Sequence, residues 1–278
     1  MRLDHIEIGC FASCYALALL FELLHLAWPR AVPRLVGLVF GLLGFFTQTV
    51  YLFHAFFVAE QGQSLSSLLG SALFLSWVLA IFYLYGTVHH RRQAWAVFVL
   101  PVVLGLLALT AAFVPRGPAG GTTPPWFQGR QVWSLVHSLL LLLAAVGICV
   151  AFVASLMYLV QARRLRDKVP PRQGLRLFSL ERLEAMNRRA ILLAFPLLTV
   201  GLLIGLVQLA PRLRHAAPWT DLRVLGAAAL WLVFAILLYL RYGYHVRGRR
   251  VALLTIVAFA LLLFTLVTAH TGVQGGGP

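Results

Sequence analysis

Charged residues are scarce in this chain. Only 11% of its 278 residues are Asp, Glu, Lys or Arg, and 8 of these are acidic. Hydrophobic residues make up 61%, and the mean hydropathy is +0.88. A water-soluble domain of this size does not have such a composition, so a soluble enzyme or binding module is excluded. The chain is predicted to be an integral membrane protein.

Cysteine is also scarce, with three residues. Cys10 and Cys14 are four apart in one apolar stretch and Cys149 lies in another, which favours ordinary small helix residues over a redox pair. The sequence contains no Cys-x-x-Cys-His motif. The chain therefore does not attach haem covalently to itself.

Long apolar runs are abundant. A spanning helix needs about 20 mostly apolar residues, because the hydrocarbon core is roughly 30 Å thick and each residue rises about 1.5 Å. The runs are continuous and do not alternate, which excludes a membrane barrel. We predict an all-α polytopic bundle that forms one transmembrane domain over residues 1–278. Its eight transmembrane helices are predicted at about 6–27, 35–58, 65–88, 94–114, 132–160, 190–209, 222–241 and 251–270.

The distribution of Lys and Arg predicts the orientation. Nine of the 23 lie in the polar segment 161–189, and a loop so basic stays on the cytoplasmic side. Eight spans then place both termini on the outer face, with seventeen Lys and Arg inside and six outside. The first ten residues carry Asp4 and Glu7 and no basic n-region, so we expect a span there and no cleaved signal. The expected location is a bacterial-type inner membrane, crossed several times.

The formal net charge of +15 does not indicate a nucleic-acid partner. The basic residues lie in short loops between spans and do not form an aromatic-studded soluble face. We interpret them as a topology signal that also attracts anionic lipid headgroups.

Two polar stripes lie at predicted span ends. Thr47, Tyr51 and His54 share one face of the second span, and such a stripe faces protein or a cavity, not lipid. A histidine there can also simply hydrogen-bond a neighbouring carbonyl.

A second stripe opens the fifth span, where Arg130, Trp133 and His137 offer a cation, a flat aromatic ring and an imidazole. Together they could hold an anionic macrocycle, although Trp and Arg are also common interfacial anchors.

The predicted orientation brings His54, His137 and His270 near the outer surface, within roughly 10 Å of one depth. Imidazoles from different helices are the axial ligands that haem iron takes, and intramembrane histidines are candidate functional residues. Glu22 and His25, near the inner end of the first span, are an alternative polar pair. We expect their side chains to satisfy each other's hydrogen-bonding groups and not to bind a cofactor.

The sequence resembles a known family over about residues 37–270. The residues that carry the resemblance are LERLEAMNRRAILLAFPLLTVGLLIG and, after an outer loop and a span, YLRYGYHVRGRRVALLTIVAFALLLFTL followed by a late histidine. They resemble the cytochrome c assembly family of haem-handling membrane proteins, the CcsA, CcmC and HemX relatives.

The resemblance implies a helical bundle with a haem site at the outer face, where histidines flank a tryptophan-rich segment. By position the histidines are His137 and His270, and the segment is QLAPRLRHAAPWTDL. That segment keeps only Trp219 and Asp221, with Thr220 between them, which brings the chain closest to the shorter HemX-like branch. The branch is associated with haem homeostasis and the glutamyl-tRNA reductase step.

These observations lead to three hypotheses. The first is a non-enzymatic protein that binds or transfers b-type haem, not covalently attached, in support of cytochrome c maturation. His137 and His270 would be the axial ligands, His54 a third candidate, and Arg130, Arg212 and Arg214 would neutralise propionates. The second is a membrane adaptor whose segment 161–189 docks a soluble haem-biosynthesis enzyme. The third, an electron-transferring cytochrome b subunit, would need a second layer of histidines that the sequence does not show.

Overall fold

The fold is helical throughout the part of the chain that the structure, a computed structural model, describes: residues 8–28, 31–55, 68–89, 94–113, 129–168, 177–209, 222–242 and 248–271. At some helix ends, 129–131 and 268–271 among them, only the backbone is described. In chain order the helices are α1 (Ile8–Ala27), α2 (Ala31–Phe53), α3 (Leu68–His89), α4 (Ala96–Phe113), α5 (Gly129–Arg166), α6 (Leu180–Leu209), α7 (Leu222–Tyr242) and α8 (Arg249–Thr271).

The all-α prediction is confirmed for these residues, since each predicted span coincides with one helix. The largest difference is at the basic segment 161–189, which was predicted as a loop. Helix α5 continues to Arg166, and α6 begins at Leu180, ten residues before the predicted span. The reason is tertiary, because Leu183 and Asn187 are buried and so keep the polar start of α6 packed.

Six of these helices are long and apolar enough to cross a membrane, and two more apolar helices, Ala96–Ala112 and Val224–Leu240, are shorter. Large apolar side chains point outward along them: Phe46 is 67% exposed and Val207 73%. Water would disfavour such surfaces, whereas lipid solvates them. The chain is therefore a multi-pass membrane protein.

The chain divides into two compact units. Unit 1 consists of residues 1–64, 72–123 and 161–179, and so contains α1, α2, α4 and most of α3. Unit 2 consists of residues 65–71, 124–160 and 180–278, and contains α6, α7, α8 and most of α5.

A buried polar chain ties the first three helices of unit 1 together. The Tyr15 hydroxyl on α1 donates to Gln48 Oε1 on α2 at 2.8 Å. Gln48 Nε2 in turn donates to Ser76 Oγ at 2.8 Å and to the Leu73 carbonyl at 3.1 Å, both on α3. Inside a bilayer such side-chain bonds hold helices at one register, because lipid offers no alternative partner.

Asn187 of α6 has the same role in unit 2. Its Nδ2 donates to the Ala151 carbonyl at 3.1 Å and to Ser155 Oγ at 2.9 Å on α5, and lies 3.3 Å from Thr255 Oγ1 on α8. The C-terminal half of α5, at Ser155, therefore lies near the N-terminal part of α8, at Thr255.

A second contact between α5 and α8 agrees with this order. The Phe152 ring stacks on the Phe259 ring with centroids 3.9 Å apart. Since Phe152 precedes Ser155 while Phe259 follows Thr255, α5 and α8 run antiparallel.

Candidate functional site

His137 lies on α5 with its imidazole against α6. Its Nδ1 is 2.7 Å from the carbonyl oxygen of Gly201. A carbonyl oxygen only accepts, so Nδ1 carries the proton and donates it, and Nε2 keeps its lone pair. Among the described residues no side chain or backbone group forms a hydrogen bond with Nε2. The contact therefore defines one tautomer, with the nitrogen that a metal would take left available.

Two glycines of α6 make this contact possible. A Cβ on Gly205 would lie 2.7 Å from His137 Cε1, closer than carbon atoms can approach. A Cβ on Gly201 would lie 2.9 Å from Leu141 Cδ2 on α5. The Gly-x-x-x-Gly pattern is typical of close helix packing. Here the space at its second glycine holds an imidazole, which the pattern alone does not indicate.

His270 lies at the same end of unit 2 as His137. From the Phe152–Phe259 contact, His137 is fifteen residues back along α5 and His270 eleven residues forward along α8. At about 1.5 Å per residue these are about 22 Å and about 16 Å in the same direction, since the two helices are antiparallel. The two backbone positions thus differ by about 6 Å in level. We refer to this end as the His137 end.

The second predicted stripe belongs to unit 1. Thr47 bonds back to its own helix, with its hydroxyl 2.9 Å from the Leu43 carbonyl. The ring of Tyr51 packs on that of Phe11, with centroids 5.6 Å apart. His54 follows the end of α2 in a π-helical turn and is half-buried. Thr47 is therefore hydrogen-bonded within α2 and Tyr51 packs against α1, and His54 remains the candidate ligand of this unit.

The remaining predicted site residues are less well defined. Trp133, one helical turn before His137, is 61% exposed, as an interfacial anchor or a surface for a flat ligand would be. Arg130 lies in the first turn of α5, where only the backbone is described. Four predicted residues lie outside the described residues: Arg212, Arg214, Trp219 and Asp221.

A small pocket that the sequence did not predict lies at the opposite end of unit 2. Ser155, Tyr158, Glu184 and Asn187 supply its polar lining. Gly248 also lines the pocket. Its φ is +80°, and a Cβ at this position would lie 2.7 Å from the Tyr158 hydroxyl. No local pattern joins these residues, because they come from three separate segments of the chain.

Glu22 is the other polar group of interest. It is buried in α1, and its Oε1 has no hydrogen-bond partner. The expectation that Glu22 satisfies itself is therefore not met at that atom. Within the described residues no group of three or more His, Cys, Asp or Glu side chains could hold a metal ion.

Comparison with known proteins identifies the family. The family model described as cytochrome C assembly protein matches residues 65–271. The cytochrome c biogenesis protein CcsA of Gloeobacter violaceus is 24% identical over 260 residues, covering 76% of each chain. Protein HemX of Bacillus subtilis is 26% identical over 219 residues, covering 78% of this chain and 76% of its own. No solved structure matches. With about three quarters of its length matched by the model, this chain belongs to the cytochrome c assembly protein family.

Proposed function

We propose that this protein binds haem at the His137 end of unit 2 and transfers it in support of cytochrome c maturation, without being an enzyme. The observation that carries the proposal is the imidazole of His137, whose Nδ1 is bonded to Gly201 while Nε2 is available. Histidines that ligate metals almost always donate their other ring N–H to a carbonyl or carboxylate in this way. The Gloeobacter violaceus relative is named a cytochrome c biogenesis protein, which agrees with this role.

The second axial ligand is His270. Its backbone lies at the same end of the same unit, and only two imidazoles are needed because the porphyrin provides the other four nitrogens. The absence of a larger cluster of metal-binding side chains among the described residues is compatible with such a site. His54, which belongs to unit 1, is a third candidate ligand.

Other residues predicted from the sequence have chemistry that suits an amphipathic dianion. Arg130, Arg212 and Arg214 can form charge-assisted hydrogen bonds to propionates. Trp133, which is largely exposed on α5, offers a flat apolar face. Trp219 and Asp221 belong to the segment between α6 and α7. The haem would be of b type, bound without covalent attachment and handled as cargo.

The membrane arrangement that goes with this function has eight spans and both termini outside. Six helices meet the length and hydropathy requirement. Helices α4 and α7, with 18 and 21 residues, are close to the roughly 20 residues that a span needs. In this orientation the His137 end faces outward, in a bacterial-type inner membrane, and delivery would be to other maturation proteins on that side.

The test is haem content after purification in detergent. We expect His137→Ala and His270→Ala each to lose most of the bound haem and the double variant to lose all of it. The matched control is His89→Ala, because His89 is exposed and its ring stacks on that of Tyr85, with centroids 4.2 Å apart. Retention of the wild-type Soret band by both single variants would refute the proposal. If His54→Ala is as damaging as His137→Ala, the ligand pair includes His54.

A second candidate function, recruitment of a soluble haem-biosynthesis enzyme, has one observation in its favour. The basic segment is partly helical, and Arg163 and Arg166 on α5 and Arg188 and Arg189 on α6 are exposed. Ordered basic side chains make a better docking surface than a mobile loop. Charge reversal at Arg163, Arg164 and Arg166 should then abolish capture of a cytoplasmic partner while haem content stays unchanged. Recovery of the same proteins with wild type and variant would exclude this candidate.

A further inference from the structure

The four helices of unit 2 repeat those of unit 1, and one pair of contacts aligns them. In unit 1 the Trp77 indole N–H donates to Thr49 Oγ1 at 2.9 Å, and its ring stacks on Phe45 at 5.7 Å. In unit 2 the Trp231 indole donates to Thr199 Oγ1 at 3.0 Å, and its ring stacks on Phe195 at 5.8 Å. Thus α6 corresponds to α2 and α7 to α3.

The burial pattern supports the alignment beyond these contacts. We align α2 with α6 so that Phe45 matches Phe195, and α3 with α7 so that Trp77 matches Trp231. In both pairs the buried faces of the two helices then coincide. The fourth helices, α4 and α8, also share their pattern of buried positions. Examples are Gln48 with Leu198, Ala80 with Phe234, and Leu107 with Phe259.

The first helices of the two units, α1 and α5, can be aligned through their contacts with the second helices, α2 and α6. A Cβ on Gly37 would lie 3.4 Å from the Ala18 carbonyl oxygen. The equivalent residue in unit 2, Asn187, donates to the Ala151 carbonyl oxygen. Ala18 therefore corresponds to Ala151, and buried Phe11 to buried Ala144.

The two units differ at the His137 end. In unit 1 two aromatic rings, Phe11 and Tyr51, pack on each other between the first and second helices. Their equivalents in unit 2 are Ala144 and Gly201, both small. The imidazole of His137 lies in this same stretch between α5 and α6, bonded to Gly201 and against Gly205. In unit 2 the Leu141 side chain packs over Gly201, the position equivalent to Tyr51, and the His137 imidazole lies one helical turn further along α6 against Gly205.

We propose that Gly201 and Gly205 are positioning residues that form a seat for the His137 imidazole and so present its Nε2 to haem. Gly205 admits the ring and the Gly201 carbonyl binds its Nδ1–H, so ring plane and tautomer are set before the ligand arrives. A general need for close helix packing does not explain the seat, since an alanine at 205 meets the imidazole and not the backbone of α5. This inference rests on the proposed function.

The experiment compares Gly205→Ala with Gly147→Ala in the full-length protein. Both glycines lie between α5 and α6, and a Cβ on Gly147 would lie 2.9 Å from Ala194 Cβ, far along the helix from His137. Because the loss of an outer-shell partner costs roughly 10- to 100-fold in metal affinity, Gly205→Ala should weaken haem binding by at least about tenfold. Its haem should also shift from a low-spin to a partly high-spin absorbance spectrum. Gly147→Ala should keep the wild-type spectrum even where it lowers thermal stability.

A chemical rescue separates the seat from the ligand. His137→Gly should lose haem and regain the low-spin spectrum when free imidazole is added, whereas the double variant with Gly205→Ala should not. A wild-type spectrum and affinity in Gly205→Ala, or equal rescue in both backgrounds, would overturn the seat alone. If His137→Ala itself keeps its haem, the proposed function fails at its ligand, and the seat fails with it.

Discussion

Trp77 and Trp231 make the same hydrogen bond in different units, each to the hydroxyl of a threonine that also donates to a carbonyl one helical turn earlier. The acceptors Thr49 and Thr199 can therefore be replaced by an isosteric residue that leaves only the indole N–H without a partner. The same contact of a tryptophan with a threonine and a phenylalanine therefore occurs in both units.

We expect Thr49→Val and Thr199→Val to destabilise the protein by similar amounts, about 1 kcal/mol each, because each leaves a partly buried donor unpaired. Thermal unfolding in detergent measures this. Thr47→Val is the control, since the Thr47 hydroxyl bonds only to carbonyls of its own helix, and it should cost less. Clearly unequal effects of the first two variants would contradict the equivalence of the two contacts.

Gln48→Leu should cost more stability than Asn187→Leu. Removing Gln48 deprives the buried Tyr15 hydroxyl of its acceptor, and an orphaned buried donor costs about 1–3 kcal/mol. When Asn187 is removed, the two hydroxyls to which its Nδ2 donates, Ser155 and Thr255, still donate to carbonyls of their own helices. Denaturant unfolding of the two variants under identical detergent conditions would decide the order, and the reverse order would refute the argument.

Gly248→Ala should destabilise by about 1–3 kcal/mol, because its φ of +80° is unfavourable for any residue with a Cβ. Adding Tyr158→Phe should recover the steric part of the loss, since the Tyr158 hydroxyl is the atom that the new Cβ meets. Gly105→Ala is the matched control. Its Cβ meets nothing within 4 Å, so in the middle of α4 it should stabilise by about 0.5–1 kcal/mol. Equal unfolding temperatures for both alanine variants would disprove the backbone argument.

The topology can be tested with a reporter that is active only in the cytoplasm. Fused at Gln173 it should give signal, because the surrounding segment carries the largest share of Lys and Arg. Fused after Pro278 it should give none. Signal from the second fusion would reverse the orientation and put the His137 end on the cytoplasmic side.

Helix positions were predictable where they depend on local apolar length. The start of α6 was not, because residues 180–189 are polar in sequence and are held in the helix by burial of Leu183 and by the bonds of Asn187 to α5. The two Gly-x-x-x-Gly motifs have the same spacing, yet only Gly37 faces a neighbouring helix backbone, whereas Gly205 faces an imidazole. Likewise Glu22 was expected to pair locally, and its Oε1 has no hydrogen-bond partner.

The sequence by itself determined the helical membrane class, the approximate position of each apolar span and the candidate histidines. Span length and hydropathy act through the bilayer and need no knowledge of neighbouring helices. Only the tertiary structure decided which nitrogen of His137 is available, which glycines hold it, and which helices carry equivalent contacts in the two units. Those properties depend on distances between residues remote in the chain, such as the 2.7 Å from His137 Nδ1 to the Gly201 carbonyl, and hydrogen bonds form only at such distances.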